Sequence, residues 1–212
     1  ISIKKKANII KGFSNSFDTC GTGGDESKTF NISTISAIVT AACGVCVAKH
    51  GNKAVSSLTG SADVLSELGV NINIDNKTVI KCLKELNLCF LFAPNFHPIL
   101  KNVADIRKNI GKRTIFNILG PLLNPVECKK QIIGVYDVNL LIKVAEVLKK
   151  LGTEFAWVVS GNKEYDELTT TGKNFIVEIK NNSIKELELD PTGYCLKKSK
   201  KEDLIGGDSK KN

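Results

Sequence analysis

Short β-branched and apolar runs alternate with helix-patterned stretches along most of this 212-residue chain, and that rhythm narrows the possible folds more than any other feature. Residues 17–20 read as a short strand entering a glycine loop. Residues 33–43 have helical composition and stop at Gly44, a C′ glycine. A buried strand at 45–48 is followed by a polar loop, Lys49-His50-Gly51-Asn52. Helices are expected at 61–68, opened by Ser61 or Asp63 and closed by Gly69, and at 78–86. A strand follows at 89–92, stopped by Pro94, and then a helix at 99–109 with Arg107 near its end. Residues 131–136 and 155–160 read as strands around a strongly amphipathic helix at 140–151, closed by Gly152. Beyond Gly172 the rhythm changes to two short alternating runs, 175–180 and 183–189, separated by Asn181-Asn182, the pattern of a hairpin. Strand–helix–strand units of this length predict one α/β domain: a mostly parallel central sheet flanked by helices, with a short β-hairpin near the C-terminus.

Composition excludes several alternatives. With 42% hydrophobic and 25% charged residues the chain is neither disordered nor collagen-like. Its longest apolar stretches, such as 38–47, are about ten residues, short of the roughly 20 that a membrane span needs. The net charge of +8 invites a nucleic-acid reading, but the excess sits at the ends. Residues 13–190 hold 20 basic and 19 acidic side chains, and only two basic residues in the whole chain are Arg. Base reading leans on Arg forks, so no nucleic-acid partner is expected. Seven Cys without a signal-like segment point to a reducing, cytoplasmic compartment. The single C-x-x-C, Cys43 to Cys46, lies in an apolar run without further metal-ligand partners, which favours thiols packed in the core. The absence of any Met marks the chain as an excerpt or an altered product.

Three polar clusters fall where strands end. Gly21-Thr22-Gly23-Gly24-Asp25 stands between a strand and a helix, where glycines let amides approach a phosphate, although a plain tight turn has the same composition. Asn31, Ser33 and Thr34 at the next helix start can meet a second phosphate or a metal, and can equally act as simple N-caps. Lys49-His50-Gly51-Asn52 suits an anionic or carboxylate-bearing ligand. Asp166-Glu167 follows a strand, and adjacent carboxylates can share Mg²⁺, though exposed acid pairs are common. No Ser-His-Asp nucleophile can be assembled from His50 and His97. Ligands of open α/β sheets bind at the carboxyl ends of strands, so the clusters should converge there as equipment for a magnesium-bound polyphosphate.

These residues, with Gly60-Ser61-Ala62-Asp63, His97-Pro98, Arg107, Leu119-Gly120-Pro121-Leu122 and Asn124-Pro125, occur in an order that resembles the anthranilate phosphoribosyltransferase family from about residue 17 to 208. The resemblance implies the nucleoside phosphorylase/phosphoribosyltransferase-like large domain and transfer of phosphoribose from phosphoribosyl pyrophosphate to the amine of anthranilate. It implies that Gly21, Thr22, Gly23, Gly24, Asp25, Thr29, Asn31, Ser33, Thr34, Lys49 and Ser61 meet phosphoribosyl pyrophosphate. His50, Asn52, His97, Arg107, Gly120 and Pro121 would form the anthranilate side. Ser33, Asp166 and Glu167 would bind two Mg²⁺ per active site. No residue is implied as a strong general base.

Two substitutions depart from the family pattern: Lys53 stands where Arg is usual, removing a bidentate fork, and Ile99-Leu100 replace Ala-Met after His97-Pro98. The resemblance also implies that residues 1–16 lead in from a helical domain that carries the homodimer contact, that 17–212 form the α/β domain, and that further C-terminal helices complete it. The competing readings are a pyrimidine-nucleoside phosphorylase-like enzyme, a nucleic-acid-binding relative of the same fold, and an inactive scaffold. The Lys49–Asn52 cluster and Arg107 favour the transferase.

Overall fold

The computed structural model describes residues 2–25, 27–54, 59–100, 103, 109 and 114–210. Its framework is a seven-stranded sheet with spatial order β3-β2-β1-β4-β5-β6-β7. The strands are β1 (Phe17–Asp18), β2 (Val47–Gly51), β3 (Leu88–Phe92), β4 (Lys130–Gly134), β5 (Phe155–Gly161), β6 (Asn174–Lys180) and β7 (Ser183–Leu189). The first five are mutually parallel, whereas β6 runs antiparallel to β5, and β7 antiparallel to β6. The expected sheet and hairpin are both present. Asn181 and Asn182 adopt φ of 50° and 58°, the left-handed pair of a type I′ turn, which Asn tolerates better than other side-chain-bearing residues.

Alternation along the inner strands sorts the helices onto the two faces. Val47 of β2 packs with Ala37 and Ala41 of α2 (Ile32–Ala42), and Phe90 of β3 packs with Ala62 and Leu65 of α3 (Ser61–Glu67). Ala48, Cys89 and Leu91 point the other way, onto Val79 and Leu83 of α4 (Asn76–Glu85), and Ile10, ahead of β1, is buried in the same cluster. The remaining described α-helices are α1 (Ser2–Lys5), α5 (Ala93–Phe96), α6 (Ile115–Leu119) and α7 (Leu141–Lys150). In α7 the buried residues Leu141, Val144, Ala145 and Leu148 recur at helical spacing and cover Ile133, Val158 and Val177 of the sheet.

Several boundaries differ from the sequence reading. Helix α2 is capped by Asn31, whose side chain accepts from the Thr34 amide at 3.2 Å, so Ser33 and Thr34 lie inside the first turn. Helix α4 opens two residues early because Asp75 caps it, accepting from the Thr78 amide at 2.8 Å. Helix α3 begins after Gly60, and Asp63 reaches back to the Gly60 amide at 2.9 Å. The largest shift concerns β2, which starts at Val47 and continues through Lys49 and His50, so these two residues are strand and not loop. All seven thiols are free. Cys46 is half-buried beside Ser16 Oγ (3.2 Å), but Cys43 is exposed, contrary to a wholly internal C-x-x-C. The expected helix at 99–109 lies almost entirely outside the described residues, apart from a short 3₁₀ turn at Pro98–Leu100.

Topology locates the working end of the sheet. From β1 the chain passes through α2 to β2 and then outward to β3, before crossing back to lay β4 on the opposite side of β1. The strand order therefore reverses beside β1. Within β1 only Phe17 pairs in register with β2, so beyond it the two backbones part and open a crevice at their carboxyl ends. No helix among the described residues is long and apolar enough to cross a membrane.

Candidate active site

A cleft of about 380 Å³ occupies that crevice and is lined by the ends of β1, β2 and β4 together with the loop after β5. It gathers the described residues expected to meet a ligand, from the 21–25 loop to Lys49, His97, Gly120 and Glu167, with one exception: Thr34 is buried in the first turn of α2 and does not line it. Arg107 lies outside the described residues.

Behind the cleft lies a buried polar network centred on Asp18, a residue that sequence reading missed. Asp18, fully buried, accepts from the His50 amide (3.0 Å) and from Asn124 Nδ2 (2.8 Å). Asn124 also donates to the Ala48 carbonyl (2.8 Å), while its Oδ1 accepts from the Val126 amide (2.8 Å). These side chains stitch β1, β2 and the turn after Gly120 together where the backbone ladder has ended. Burial raises the Asp18 carboxyl to about 6, with Asn124, Lys49 and backbone donors partly opposing the shift. Lys49, only 3% exposed, aims Nζ at Ser33 Oγ (3.1 Å) and the Thr19 carbonyl (3.4 Å). Desolvation lowers its pKa, and the neighbouring Cys20 and Asp18 offset part of that. The one signal in the sequence was a lone acid inside an otherwise uncharged strand.

His50 and His97 are 2% and 1% exposed, and their rings meet edge to face with centroids 5.3 Å apart. His50 Nδ1 lies 3.2 Å from the Gly120 carbonyl, which can only accept, so Nδ1 carries the proton and Nε2 is a bare acceptor. Burial first, and then the neighbouring His97, hold His50 down at about 3, so the ring is neutral throughout the physiological range. His50 Nε2 and Thr34 Oγ1 are buried without a hydrogen-bond partner among the described residues. Burial also lowers His97. Asn31 Oδ1 collects the Thr34 amide, Ser33 Oγ and, at 3.5 Å, Ser61 Oγ, which ties α3 to the start of α2. Asn52 and Lys53 are exposed at the rim, and Pro121 is buried in the 3₁₀ turn Gly120–Leu123.

The glycine loop and the acid pair form one packed unit. A Cβ at Gly134 would land on the Asp166 carbonyl oxygen, and one at Gly21 would come 2.7 Å from Asp166 Oδ2. Gly23 donates its amide to Asp166 Oδ2 at 2.6 Å, and Thr22 donates its own to the Gly134 carbonyl at 2.9 Å. Asp25 accepts from Ser27 Oγ (2.6 Å) and lies 3.4 Å from the Asp166 amide. The acids are half-buried and not the solvated pair that their sequence suggests. Burial, followed by repulsion from Asp25, lifts Asp166 to about 7. Burial also lifts Glu167 to about 8, against a Thr29 hydrogen bond and with added repulsion from Asp166 and Asp25. Ser33 is held by Lys49 and Asn31, whereas the acids are held by Gly23, Asp25 and Thr29. Among the described residues no three His, Cys, Asp or Glu side chains form a ready metal cage. A hard cation that keeps waters and takes further oxygens from a phosphate ligand suits two repelling carboxylates better than such a cage, and Mg²⁺ is that kind of ion.

The C-terminal segment braces this unit from outside. Ile205 bridges to Thr29, the Phe30 amide bonds to the Leu204 carbonyl, and Thr170 Oγ1 bonds to Ser199 Oγ at 2.8 Å. Lys201 pairs with Glu164 at 3.3 Å.

Residues 14–212 match the family described as "Glycosyl transferase family, a/b domain". The anthranilate phosphoribosyltransferase of Alkaliphilus metalliredigens is 52% identical over 93% of this chain, and that of a Thermoanaerobacter strain is 53% identical over 92%. The chain spans 58% of the length of each. The structure of the anthranilate phosphoribosyltransferase from Thermus thermophilus superposes with a TM-score of 0.92 at 39% identity, over 99% of this chain and 62% of that one. The Saccharomyces cerevisiae enzyme in complex with PRPP and Mg superposes at 0.89 and 31% identity, over 99% and 58%. The chain belongs to the glycosyl transferase family and carries that family's a/b domain.

Proposed function

We propose that this domain transfers phosphoribose from 5-phosphoribosyl 1-pyrophosphate to the amine of anthranilate, giving N-(5-phosphoribosyl)anthranilate and pyrophosphate, a step of tryptophan biosynthesis. The observation that carries this reading is the convergence of a glycine loop, a desolvated Lys and two repelling carboxylates in one cleft beside a pair of neutral imidazoles. Similarity to relatives of that name, among them the Saccharomyces cerevisiae enzyme solved both with PRPP and Mg and with 4-fluoroanthranilate, supports it over a phosphorylase.

Residue roles follow from donors and acceptors. Lys49 and the loop from Gly21 to Asp25, with Thr29, Asn31, Ser33, Thr34 and Ser61, serve the sugar pyrophosphate, where a fixed ammonium and backbone dipoles stabilise departing negative charge without reorganising. His50 Nε2 can only accept a hydrogen bond, so it suits an amine N–H and not a carboxylate. His97, Asn52, Arg107, Gly120 and Pro121 complete the aromatic side, with Arg107 meeting the carboxylate. Asp166, Glu167 and Ser33 would hold two Mg²⁺, which when bound neutralise the pyrophosphate. Positioning the amine against the anomeric carbon contributes much of the remaining acceleration. We assign 17–212 as the α/β domain with 1–16 as its lead-in, and take the intact protein to be a cytoplasmic homodimer.

A thermal melt with phosphoribosyl pyrophosphate and magnesium, against inorganic phosphate, tests the reading. At 100 times its dissociation constant a ligand specific to the folded state adds about 2.7 kcal/mol, and anthranilate fluorescence then follows turnover. A cooperative melt that ignores this ligand refutes the assignment.

A further inference from the structure

The glycine loop does not stand open to an anion. Its Thr22 amide is bonded to the Gly134 carbonyl, and its Gly23 amide is bonded to a carboxylate oxygen of Asp166 at 2.6 Å, short for an amide donor, as a charged acceptor favours. The same carboxylate lies against Gly21, where a Cβ would meet Oδ2 at 2.7 Å, so Asp166 fills the concave side of the turn. Gly23 itself has φ of +65°, a conformation that lets its amide point inward. An oxyanion is therefore already in place, supplied by a residue 143 positions away in the chain. The backbone of Asp166 is pinned by the close approach of Gly134, and its amide faces Asp25. Only the side chain is left to move.

We propose that Asp166 is a resting-state stand-in for a phosphate oxygen: its carboxylate occupies the Gly23 amide until a divalent cation draws it away, so that cation and polyphosphate enter the cleft as mutually dependent ligands. The inference rests on the phosphoribosyl transfer reading for the identity of the polyphosphate. Its physical core concerns this chain's own groups. With Asp166 on Gly23, an incoming phosphate loses one amide donor and faces a carboxylate at the same spot. With Asp166 turned towards a cation, the donor is released and the repulsion is reversed. Neither ligand finds its site finished without the other, which is the condition for positive coupling between two bound species. A simple acid pair beside an open phosphate loop would give no such coupling through Gly23.

The test uses inorganic pyrophosphate in the absence of metal as probe, read by calorimetry, with the Gly23 amide followed by NMR in glycine-labelled protein. Asp166→Ala should bind metal-free pyrophosphate at least about tenfold tighter than the wild type, since an obstructing charged acceptor and its hydrogen bond are both removed. Its Gly23 amide proton should shift upfield. Glu164→Gln removes an exposed carboxylate from the same loop, two residues away and without a contact to Gly23, and should change affinity less than about twofold. Asp166→Asn preserves side-chain volume and guards against a folding defect in the alanine variant; it should gain affinity in the same direction. Magnesium alone, added to the wild type, should move the Gly23 resonance the same way as the alanine substitution does. Equal gains in Glu164→Gln and Asp166→Ala would reduce the effect to general charge relief and overturn the proposal. So would unchanged affinity in both Asp166 variants, or a Gly23 resonance indifferent to magnesium. Failure of the wild type to bind phosphoribosyl pyrophosphate with magnesium would refute the transferase reading instead, and would leave the metal-free comparison decisive for Asp166.

Discussion

Gly134→Ala is the sharpest probe of the packing between the sheet and the acid loop. Gly134 ends β4, and a methyl placed on it would coincide with the carbonyl oxygen of Asp166 and crowd the Glu167 amide. Restoring an ordinary carbon–oxygen separation of about 3.3 Å requires the acid loop to retreat by roughly 2 Å. The strain is backbone against backbone, so no side-chain rotation relieves it, and overpacking of this kind costs about 1–3 kcal/mol. The functional loss should be larger than the loss of stability. Misplacement of catalytic groups by about 1 Å can reduce turnover on the order of 100-fold, and both carboxylates move together here. The assay pairs a melt with magnesium-dependent phosphoribosyl pyrophosphate binding. We expect a folded protein with a lowered melting temperature and at least a 100-fold loss of anthranilate turnover. Gly193→Ala, whose Cβ would meet nothing within 4 Å, serves as the neutral control. A Gly134→Ala protein that binds the ligand like the wild type would show that the acid loop does not depend on its seat at the end of β4, and would refute the reasoning.

Other outcomes follow from the same geometry. Asp166 and Glu167 have raised pKa values, about 7 and 8, so the folded state retains protons that the unfolded chain releases, and stability falls as pH rises through this range. The buried His50 has the opposite sign: it is neutral when folded and is protonated on unfolding below about 6.5, so its contribution rises with pH and is complete near neutrality. The melting temperature without metal should therefore decline between pH 7 and 8.5, less steeply in Glu167→Gln; a flat or rising profile in that window contradicts the assignment. Asn124→Ala removes the shared partner of Asp18, Ala48 and Val126 in a fully buried network, and should cost about 2–4 kcal/mol in a denaturant titration, with a value below about 1 kcal/mol arguing against the network. Leu148→Ala opens a cavity between α7 and the sheet, remote from the cleft, and should cost about 2–5 kcal/mol while leaving ligand affinity unchanged.

Periodicity made α7 and the Asn181-Asn182 hairpin legible, because each is governed by local rules: an apolar stripe every three to four residues, and a turn whose backbone needs left-handed residues. It misplaced β2 for the opposite reason. Hydropathy assigns Lys49 and His50 to solvent, yet both are buried at the end of a central strand because Asp18, Ser33 and Gly120, distant in sequence, supply their partners. The acid pair was found by its position after a strand, but its burial was not, since that comes from the glycines at 21 and 134 closing upon it. Asp18 went unnoticed for a related reason. A single carboxylate in a short strand carries no spacing signal, and its importance is visible only once Asn124 lies beside it.

The brace between Thr29 and Ile205 bears on how the protein is made. Gly23 meets Asp166 across 143 residues, and the Thr29–Ile205 bridge spans a still longer loop. During vectorial synthesis β1 to β3 emerge with their own helices and can bury apolar surface early, while the glycine loop waits for sequence not yet translated. Closing so wide a loop costs chain entropy before any contact rewards it, which makes the cleft a late event in folding although its glycine loop is translated well before the acid pair. A nascent chain halted before residue 166 would hold the glycine loop with no acid to fill it.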